Sequence, residues 1–223
     1  MTAILFGSIS TLADTSELQR RAFNDAFAEH GLDWSWDREA YRALLDRNGG
    51  AARVASYAQE RGEEVDAGAV HATKSRRFQQ LLREDGVAAR PGVAETIREA
   101  HDRGVKVGVV TTTSTDNLDT LLDALAASID RAHLDVVLDR SDVTDPKPAP
   151  DVYAAALQRL DLPATRCVAI EDNLGGVTAA SAAGVACVAF PNDNTATHDF
   201  AAATDRVEQV GLDALLTHLE PVG

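Results

Sequence analysis

The sequence has few cysteines and few basic residues, and it lacks any long apolar run. Its 223 residues include two cysteines, and 21 Lys and Arg against 35 Asp and Glu give a formal net charge of −14. This acidic excess disfavours nucleic acids and anionic membranes as partners, because both are polyanions. The apolar run at 3–6 is too short for a signal peptide, and no later run reaches membrane-spanning length. We therefore expect a cytoplasmic protein that binds neither nucleic acid nor membrane.

The two cysteines lie in segments that read as buried strands. Cys167 is in RCVAIED and Cys187 is in VACVAFP. A metal site or a redox pair needs closer spacing or a nearby histidine, and these segments have neither. We interpret both as reduced thiols in the core.

The second half of the chain alternates strand and helix patterns. Continuous apolar, β-branched runs at 105–112, 134–139, 167–172 and 186–190 are separated by helical patterns at 116–127, 150–160 and 177–184. Strands that are apolar along their whole length and alternate with helices indicate an α/β fold, with a parallel sheet covered on both faces.

Residues 16–87 have a different pattern. Four amphipathic helical stretches follow one another there with no strand between them, and Gly and Pro at 86–93 return the chain to the strand–helix pattern. We predict a core domain of residues 1–15 and 88–223, with residues 16–87 inserted as an all-helical cap domain.

Four groups of residues follow strand ends, which is where ligands bind in open parallel sheets. These are Gly7 and Ile9, Thr111 and Thr112, Lys147, and the pair Glu171 and Asp172. They lie in the segments FGSISTLADT, VGVVTT, DPKPAPDVY and IEDNLGG.

In order and setting, these segments resemble the four motifs of the haloacid-dehalogenase (HAD) superfamily, in its phosphoglycolate phosphatase and β-phosphoglucomutase branch. The resemblance covers nearly the whole chain. It implies a Rossmann-like core and Mg²⁺-dependent phosphatase or phosphomutase chemistry on small phosphorylated metabolites, such as sugar phosphates. The first motif of that family reads Phe-Asp-x-Asp-Gly-Thr-Leu-x-Asp-Thr, with the first Asp as nucleophile and the second as general acid/base. In this chain Gly7 and Ile9 stand at those two positions.

The resemblance also implies roles for the other residues. The Thr111 hydroxyl and the Thr112 amide would donate hydrogen bonds to a phosphoryl group, and Lys147 would neutralise its charge. Glu171 and Asp172 would bind Mg²⁺. Each has a simpler alternative: the threonines as part of a helix cap, Lys147 as a solvated loop residue, and the acidic pair as a cap of the next helix.

Two cations in the predicted cap are further candidates. Arg53 follows Gly49-Gly50, as in relatives whose cap arginine contacts the substrate, and Lys74 in the next helix is a weaker candidate. Asp14 and Glu17 are spaced as a capping box, which explains Asp14 without a catalytic role.

The absence of carboxylates at positions 7 and 9 leaves two expectations for the function. Hydrolysis in the family begins with attack of the aspartate on phosphorus, and Gly7 offers no nucleophile. We expect a catalytically impaired or inactive relative with weakened Mg²⁺ affinity. It would retain a pocket for phosphate or a small phosphorylated metabolite, or serve a protein partner. The alternative is an active phosphatase with a non-standard nucleophile. A loss of repulsion at Gly7 and Ile9 would favour phosphate binding even without metal.

Overall fold

The computed structural model describes residues 1–45 and 49–219, and its centre is a parallel sheet of six strands. The strands are β1 (Ala3–Phe6), β2 (Lys106–Val110), β3 (Val136–Leu138), β4 (Cys167–Glu171), β5 (Ala186–Ala189) and β6 (Asp205–Arg206). Their order is β3-β2-β1-β4-β5-β6, and every pairing is parallel. The predicted α/β class with a Rossmann-like parallel sheet is confirmed.

The helices agree with the sequence patterns to within a few residues at most ends. They are α1 (Ser16–Glu29), α2 (Arg38–Ala43), α3 (Gly50–Arg61), α4 (Ala67–Asp85), α5 (Val93–Asp102), α6 (Thr115–Ala124), α7 (Asp151–Leu160), α8 (Leu174–Ala182) and α9 (Leu212–Leu216). The sequence patterns did not predict α5, α9 or β6. The strand β6 has two exposed residues and therefore no apolar signal. No helix among residues 1–45 and 49–219 is long and apolar enough to cross a membrane.

The sheet separates two apolar clusters because successive strand side chains point to opposite faces. Ile4 and Phe6 face the first cluster, which contains residues of α5, α6 and α9. Ala3 and Leu5 face the second, which contains residues of α7 and α8. Cys167 and Cys187 are buried in the second cluster without a disulfide bond, as expected of core thiols.

Residues 16–87, the helical segment, build a third apolar cluster that is rich in aromatic rings. Phe23, Phe27, Trp34 and Trp36 pack there with ring centroids 4.6–6.0 Å apart where the rings contact. The helix α4 joins the two parts of the chain, because its C-terminal half contributes Phe78 to the first cluster. The domain boundaries at 15/16 and 87/88 stay a prediction.

The predicted capping box at the start of α1 is wrong. The helix begins at Ser16, so Thr15 is the N-cap residue and makes no side-chain cap bond. Asp14 accepts a hydrogen bond from the Ser16 amide at 3.0 Å instead. Glu17 pairs with Arg20 and Arg38 rather than with the backbone.

Candidate functional site

The ends of β1, β2 and β4 bring three of the predicted positions to one edge of the sheet. Phe6 is in register with Val109 on one side and with Ile170 on the other. Gly7, Thr111 and Glu171 are therefore neighbours, and the Gly7 amide donates to the Ile170 carbonyl at 2.9 Å. Lys147 joins them from the loop before α7 by donating to the Val110 carbonyl at 2.7 Å. We call Gly7, Ser8, Thr111, Lys147, Glu171 and Asp172 the core pocket.

Lys147 and Glu171 form a buried ion pair. The Lys147 ammonium contacts Glu171 Oε1, and the two side chains are 9% and 2% exposed. Tyr153 donates its hydroxyl to the same oxygen at 2.5 Å. Burial, and then the nearby charge of Glu171, raise the pKa of Tyr153 well above its usual value, so the hydroxyl stays protonated. Lys147 is therefore not the solvated loop lysine of the simpler interpretation.

The carboxylate of Glu171 fills the space beside Gly7. A Cβ atom at position 7 would lie 2.7 Å from Glu171 Oε2 and 2.7 Å from Thr11 Oγ1, closer than real Cβ contacts. A Cβ at Gly176 would lie 2.1 Å from the same Glu171 oxygen. Two glycines thus make room for this one carboxylate, in the space where a side chain at position 7 would begin.

Asp172 also accepts hydrogen bonds from neighbouring side chains on both of its oxygens. Its Oδ1 accepts from Thr11 Oγ1 at 2.9 Å and from Asn173 Nδ2 at 3.1 Å, and its Oδ2 accepts from Asn192 Nδ2 at 3.3 Å. Burial, and then the charge of Glu171, raise the pKa of Asp172 to about 6. The acidic pair does not cap α8, because Asn173 does so by accepting from the Gly176 amide.

Two hydroxyl groups face each other at the end of β2. Ser8 Oγ donates to Thr111 Oγ1 at 2.8 Å, and the Thr113 amide donates to the same Thr111 oxygen at 3.2 Å. Ser114, the N-cap residue of α6, makes no side-chain cap bond, so the threonines do not form the predicted alternative, a helix cap. Thr112 is partly buried beside them, and its phosphate-binding role stays a prediction.

The second replaced position does not present a functional group to the pocket. Ile9 is partly buried and packs against the first apolar cluster. Ser10 has a φ of 65°, a left-handed conformation that suits glycine better than a residue with a side chain. The HAD motif that this segment resembles has a glycine at the position of Ser10.

Sequence reasoning missed three residues of this site. Thr11, Tyr153 and Asn192 each bond to Glu171 or Asp172. The sequence could have identified Tyr153 as a site residue, because it lies two residues beyond KPAPD on the helix that follows. It could not have identified Asn192, because a loop brings this residue back to Asp172 from beyond β5.

The helical segment buries a second set of cations. Lys74 is 4% exposed, hydrogen-bonded to Gln19 Oε1, and about 5 Å from two rings, at 5.0 Å from Phe23 and 4.9 Å from Phe78. No carboxylate in the described part of the chain pairs with Lys74. Burial, and then the charge of Arg53, lower the pKa of Lys74 to about 7. The burial of Lys74 could have been predicted from the sequence, since Lys74 lies four residues after Val70 and four before Phe78 on the buried face of α4.

Arg53 lies beside the same ring. Its guanidinium is 5.9 Å from the Phe23 ring and 5.8 Å from the Tyr41 ring, and its Nε donates to the Leu44 carbonyl at 2.8 Å. Burial raises the pKa of Tyr41 to about 12, and the charges of Arg53 and Asp172 are the next largest influences. The part of the Arg53 segment at 46–48 lies outside the described residues.

A cleft lies between the helical segment and the core. Its volume is about 430 Å³, and α2 lines one side of it. The other side is formed by Leu174 at the start of α8 and by residues between 194 and 199.

Comparison with known proteins identifies the family. The haloacid dehalogenase-like hydrolase family matches residues 1–184. The chain belongs to that family. It is 43% identical over 204 residues to protein CbbY of Cereibacter sphaeroides, covering 90% of this chain and 89% of the relative. It is 41% identical over 213 residues to the plasmid protein CbbY of Cupriavidus necator, covering 91% and 83%.

Two solved structures of this haloacid dehalogenase-like family are similar over nearly the whole chain. CbbY from Rhodobacter sphaeroides in complex with phosphate has a TM-score of 0.86 at 40% identity, covering 96% of this chain and 99% of that one. An Asp-to-Asn variant of the same protein in complex with xylulose-(1,5)bisphosphate has a TM-score of 0.87 at 40% identity, with the same coverage. More distant neighbours include a hydrolase from Pseudomonas syringae, with a TM-score of 0.76 at 21% identity.

Hydrolases of this family generally use Mg²⁺, which the core pocket of this chain does not fit. Mg²⁺ requires a near-octahedral set of oxygen ligands. Both oxygens of Asp172 and one of Glu171 already accept hydrogen bonds, and an ammonium lies against Glu171. No group of three metal-ligating side chains occurs within residues 1–45 and 49–219.

Proposed function

We propose that this protein binds a small phosphorylated sugar and has lost most or all of the hydrolytic activity of its family. The observation that carries the proposal is the Glu171 carboxylate in the space beside Gly7, at 2.7 Å from where a Cβ would begin. Position 7 provides no nucleophile, and the space for one is occupied by a group that is itself held by Lys147 and Tyr153.

The loss of a nucleophile outweighs the contributions that remain. Phosphate-monoester hydrolysis needs an acceleration of up to about 10²¹-fold. In the measured protease case, removal of the catalytic residues leaves roughly 10³–10⁴-fold over water from binding and electrostatics. The remaining hydroxyls and Lys147 would therefore sustain no detectable turnover.

The helical segment supplies the strongest argument for an anionic ligand. A buried ammonium without a carboxylate is costly, and an anion that reaches it removes that cost. Lys74 is such a group among the described residues, and Arg53 lies beside the same Phe23 ring. We therefore assign one phosphate of the ligand to Lys74 and Arg53 in the predicted cap.

We assign a second phosphate of the ligand to the core pocket, in line with the roles predicted for its residues. The Thr111 hydroxyl and the Thr112 amide would donate to it at the edge of the sheet. The complex of CbbY with xylulose-(1,5)bisphosphate supports a sugar with two phosphates as the ligand class.

The second candidate function is an active phosphatase with a non-standard nucleophile. The observation that favours it is the Ser8 hydroxyl, which lies 2.8 Å from Thr111 in the core pocket. In that case Ser8→Ala would abolish phosphate release, while Ser141→Ala, which removes a hydroxyl outside the core pocket, would not.

The experiment that tests the proposal separates binding from turnover. Xylulose-(1,5)bisphosphate is titrated by calorimetry, and phosphate release is followed with and without Mg²⁺ for the protein and for the double variant Gly7→Asp, Ile9→Asp. We expect saturable binding without release by the protein, and release by the double variant if Glu171 moves away from residue 7. Phosphate release by the unaltered protein would refute the loss of catalysis, and the absence of binding would refute the ligand.

A further inference from the structure

Glu171 is held in the core pocket by three features that sugar binding does not require. Tyr153 donates to Oε1 at 2.5 Å, the Lys147 ammonium contacts the same oxygen, and glycines stand where a Cβ would collide with Oε2. Each feature holds the carboxylate in one position. Glu171, Lys147 and Tyr153 together form a buried cluster of one anion, one cation and one neutral hydrogen-bond donor.

We propose that the Lys147 ammonium is the resident counter-cation of Glu171, so that the core pocket takes up no Mg²⁺. The pair is almost fully buried, at 9% and 2% exposure, where opposite charges attract more strongly than in water. A divalent ion bound to Glu171 would lie within a few ångströms of this ammonium. The mutual repulsion would have to be overcome before any ligand bond formed.

Asp172 accepts hydrogen bonds from neutral donors. Thr11, Asn173 and Asn192 donate to its two oxygens at 2.9–3.3 Å. A cation at Asp172 would compete with these bonds, and a buried donor left without its acceptor costs free energy. Among the described residues, Lys147 is the cation in direct contact with the acidic pair, through Glu171.

The glycines at 7 and 176 explain how Glu171 reaches this position. A side chain at either residue would place a Cβ within 2.7 Å of Oε2 and force the carboxylate away. Gly7 thus provides no carboxylate of its own, and the space beside it is occupied by the carboxylate of Glu171. This inference concerns the metal rather than the ligand, and it holds whether or not a sugar bisphosphate binds.

The test measures metal binding without an activity assay. Calorimetric titration with MgCl₂, and melting temperatures in millimolar MgCl₂ against NaCl of equal ionic strength, are recorded for the protein and for Lys147→Met. We expect no saturable binding and no Mg²⁺-specific stabilisation for the protein. The variant should bind Mg²⁺ at least about tenfold more tightly, because a like charge a few ångströms away has been removed.

Two controls isolate the charge of Lys147. Lys147→Arg keeps a cation and should remain insensitive to Mg²⁺. Lys106→Met removes an exposed lysine that pairs with Asp135, and it should behave like the unaltered protein. If Lys147→Met folds poorly, Lys147→Gln takes its place, since its amide can still donate to Glu171.

Two results would overturn the proposal. One is saturable, micromolar Mg²⁺ binding by the unaltered protein. The other is equal Mg²⁺ affinity in the protein and in its neutral variants at position 147. Folding of Lys147→Met only in the presence of MgCl₂ would support the proposal, since the divalent ion would then be replacing the missing ammonium.

Discussion

The two buried lysines of this protein have opposite surroundings. In the core pocket, Lys147 lies against the carboxylate of Glu171. In the helical segment, Lys74 lies against the amide oxygen of Gln19 and two aromatic rings, with no carboxylate paired to it among the described residues. The first cation is paired with a carboxylate of the protein, whereas no carboxylate among the described residues pairs with the second.

This difference bears on the expectation that the loss of two aspartates leaves an anion-attracting core pocket. Glu171 takes the space beside Gly7, so a carboxylate still lies next to position 7. The gain in phosphate affinity at the core stays a prediction. Under the proposed function, the stronger attraction for a phosphate group would be that of Lys74 in the helical segment.

The largest expected effect comes from breaking the core pair. Lys147→Ala leaves Glu171 as a buried charge without a counter-ion, and we expect a loss of about 3–5 kcal/mol in the free energy of unfolding. Denaturation in urea measures the loss. Lys106→Ala removes an exposed lysine of another ion pair and should cost at most about 1 kcal/mol. Equal losses in the two variants would show that Lys147 and Glu171 do not interact as described.

The second effect has the opposite sign and concerns Lys74. Lys74→Met removes a buried charge that has no carboxylate partner among residues 1–45 and 49–219, and we expect the unliganded protein to gain about 1–4 kcal/mol at pH 7. The same variant should bind the sugar bisphosphate at least about tenfold more weakly, because a phosphate contact is lost. A variant that is destabilised and binds normally would show that Lys74 is a structural residue only.

The gain in stability should also depend on pH. The pKa of Lys74 is about 7 in the folded protein, against an ordinary value of 10.5. Between these values the unfolded chain holds the proton and the folded protein does not, so stability rises with pH. The advantage of Lys74→Met should therefore shrink as pH rises from 7 towards 10. Parallel stability profiles of the two proteins over that range would contradict the lowered pKa.

The smallest effect tests the space beside Gly7. Gly7→Ala would place a Cβ 2.7 Å from the Glu171 and Thr11 oxygens, and we expect a loss of about 1–3 kcal/mol from overpacking. Gly211→Ala is a matched control, because nothing lies within 4 Å of a Cβ there. Thermal melts of the two variants provide the comparison. A Gly7→Ala protein as stable as the control would show that Glu171 moves aside without cost.

Patterns in the sequence predicted the architecture well, for local reasons. Four of the six strands were predicted from continuous apolar, β-branched runs in the second half of the chain, and β1 from the short run ending at Phe6. The strand β6 and the helix α9, with two and five residues, are too short for a periodic signal. The order of the strand ends also predicted that Gly7, Thr111, Lys147 and Glu171 meet at one edge of the sheet.

The sequence by itself determined the α/β class, the family resemblance and the absence of a carboxylate at positions 7 and 9. These properties depend on residue identity and on local periodicity. Only the tertiary structure decided that Glu171 occupies the space beside Gly7, with Gly176 on its other side. It also decided that Lys147 pairs with Glu171, while no carboxylate of the described residues pairs with Lys74. Such pairings depend on which side chains meet across long stretches of chain, and no local pattern specifies them.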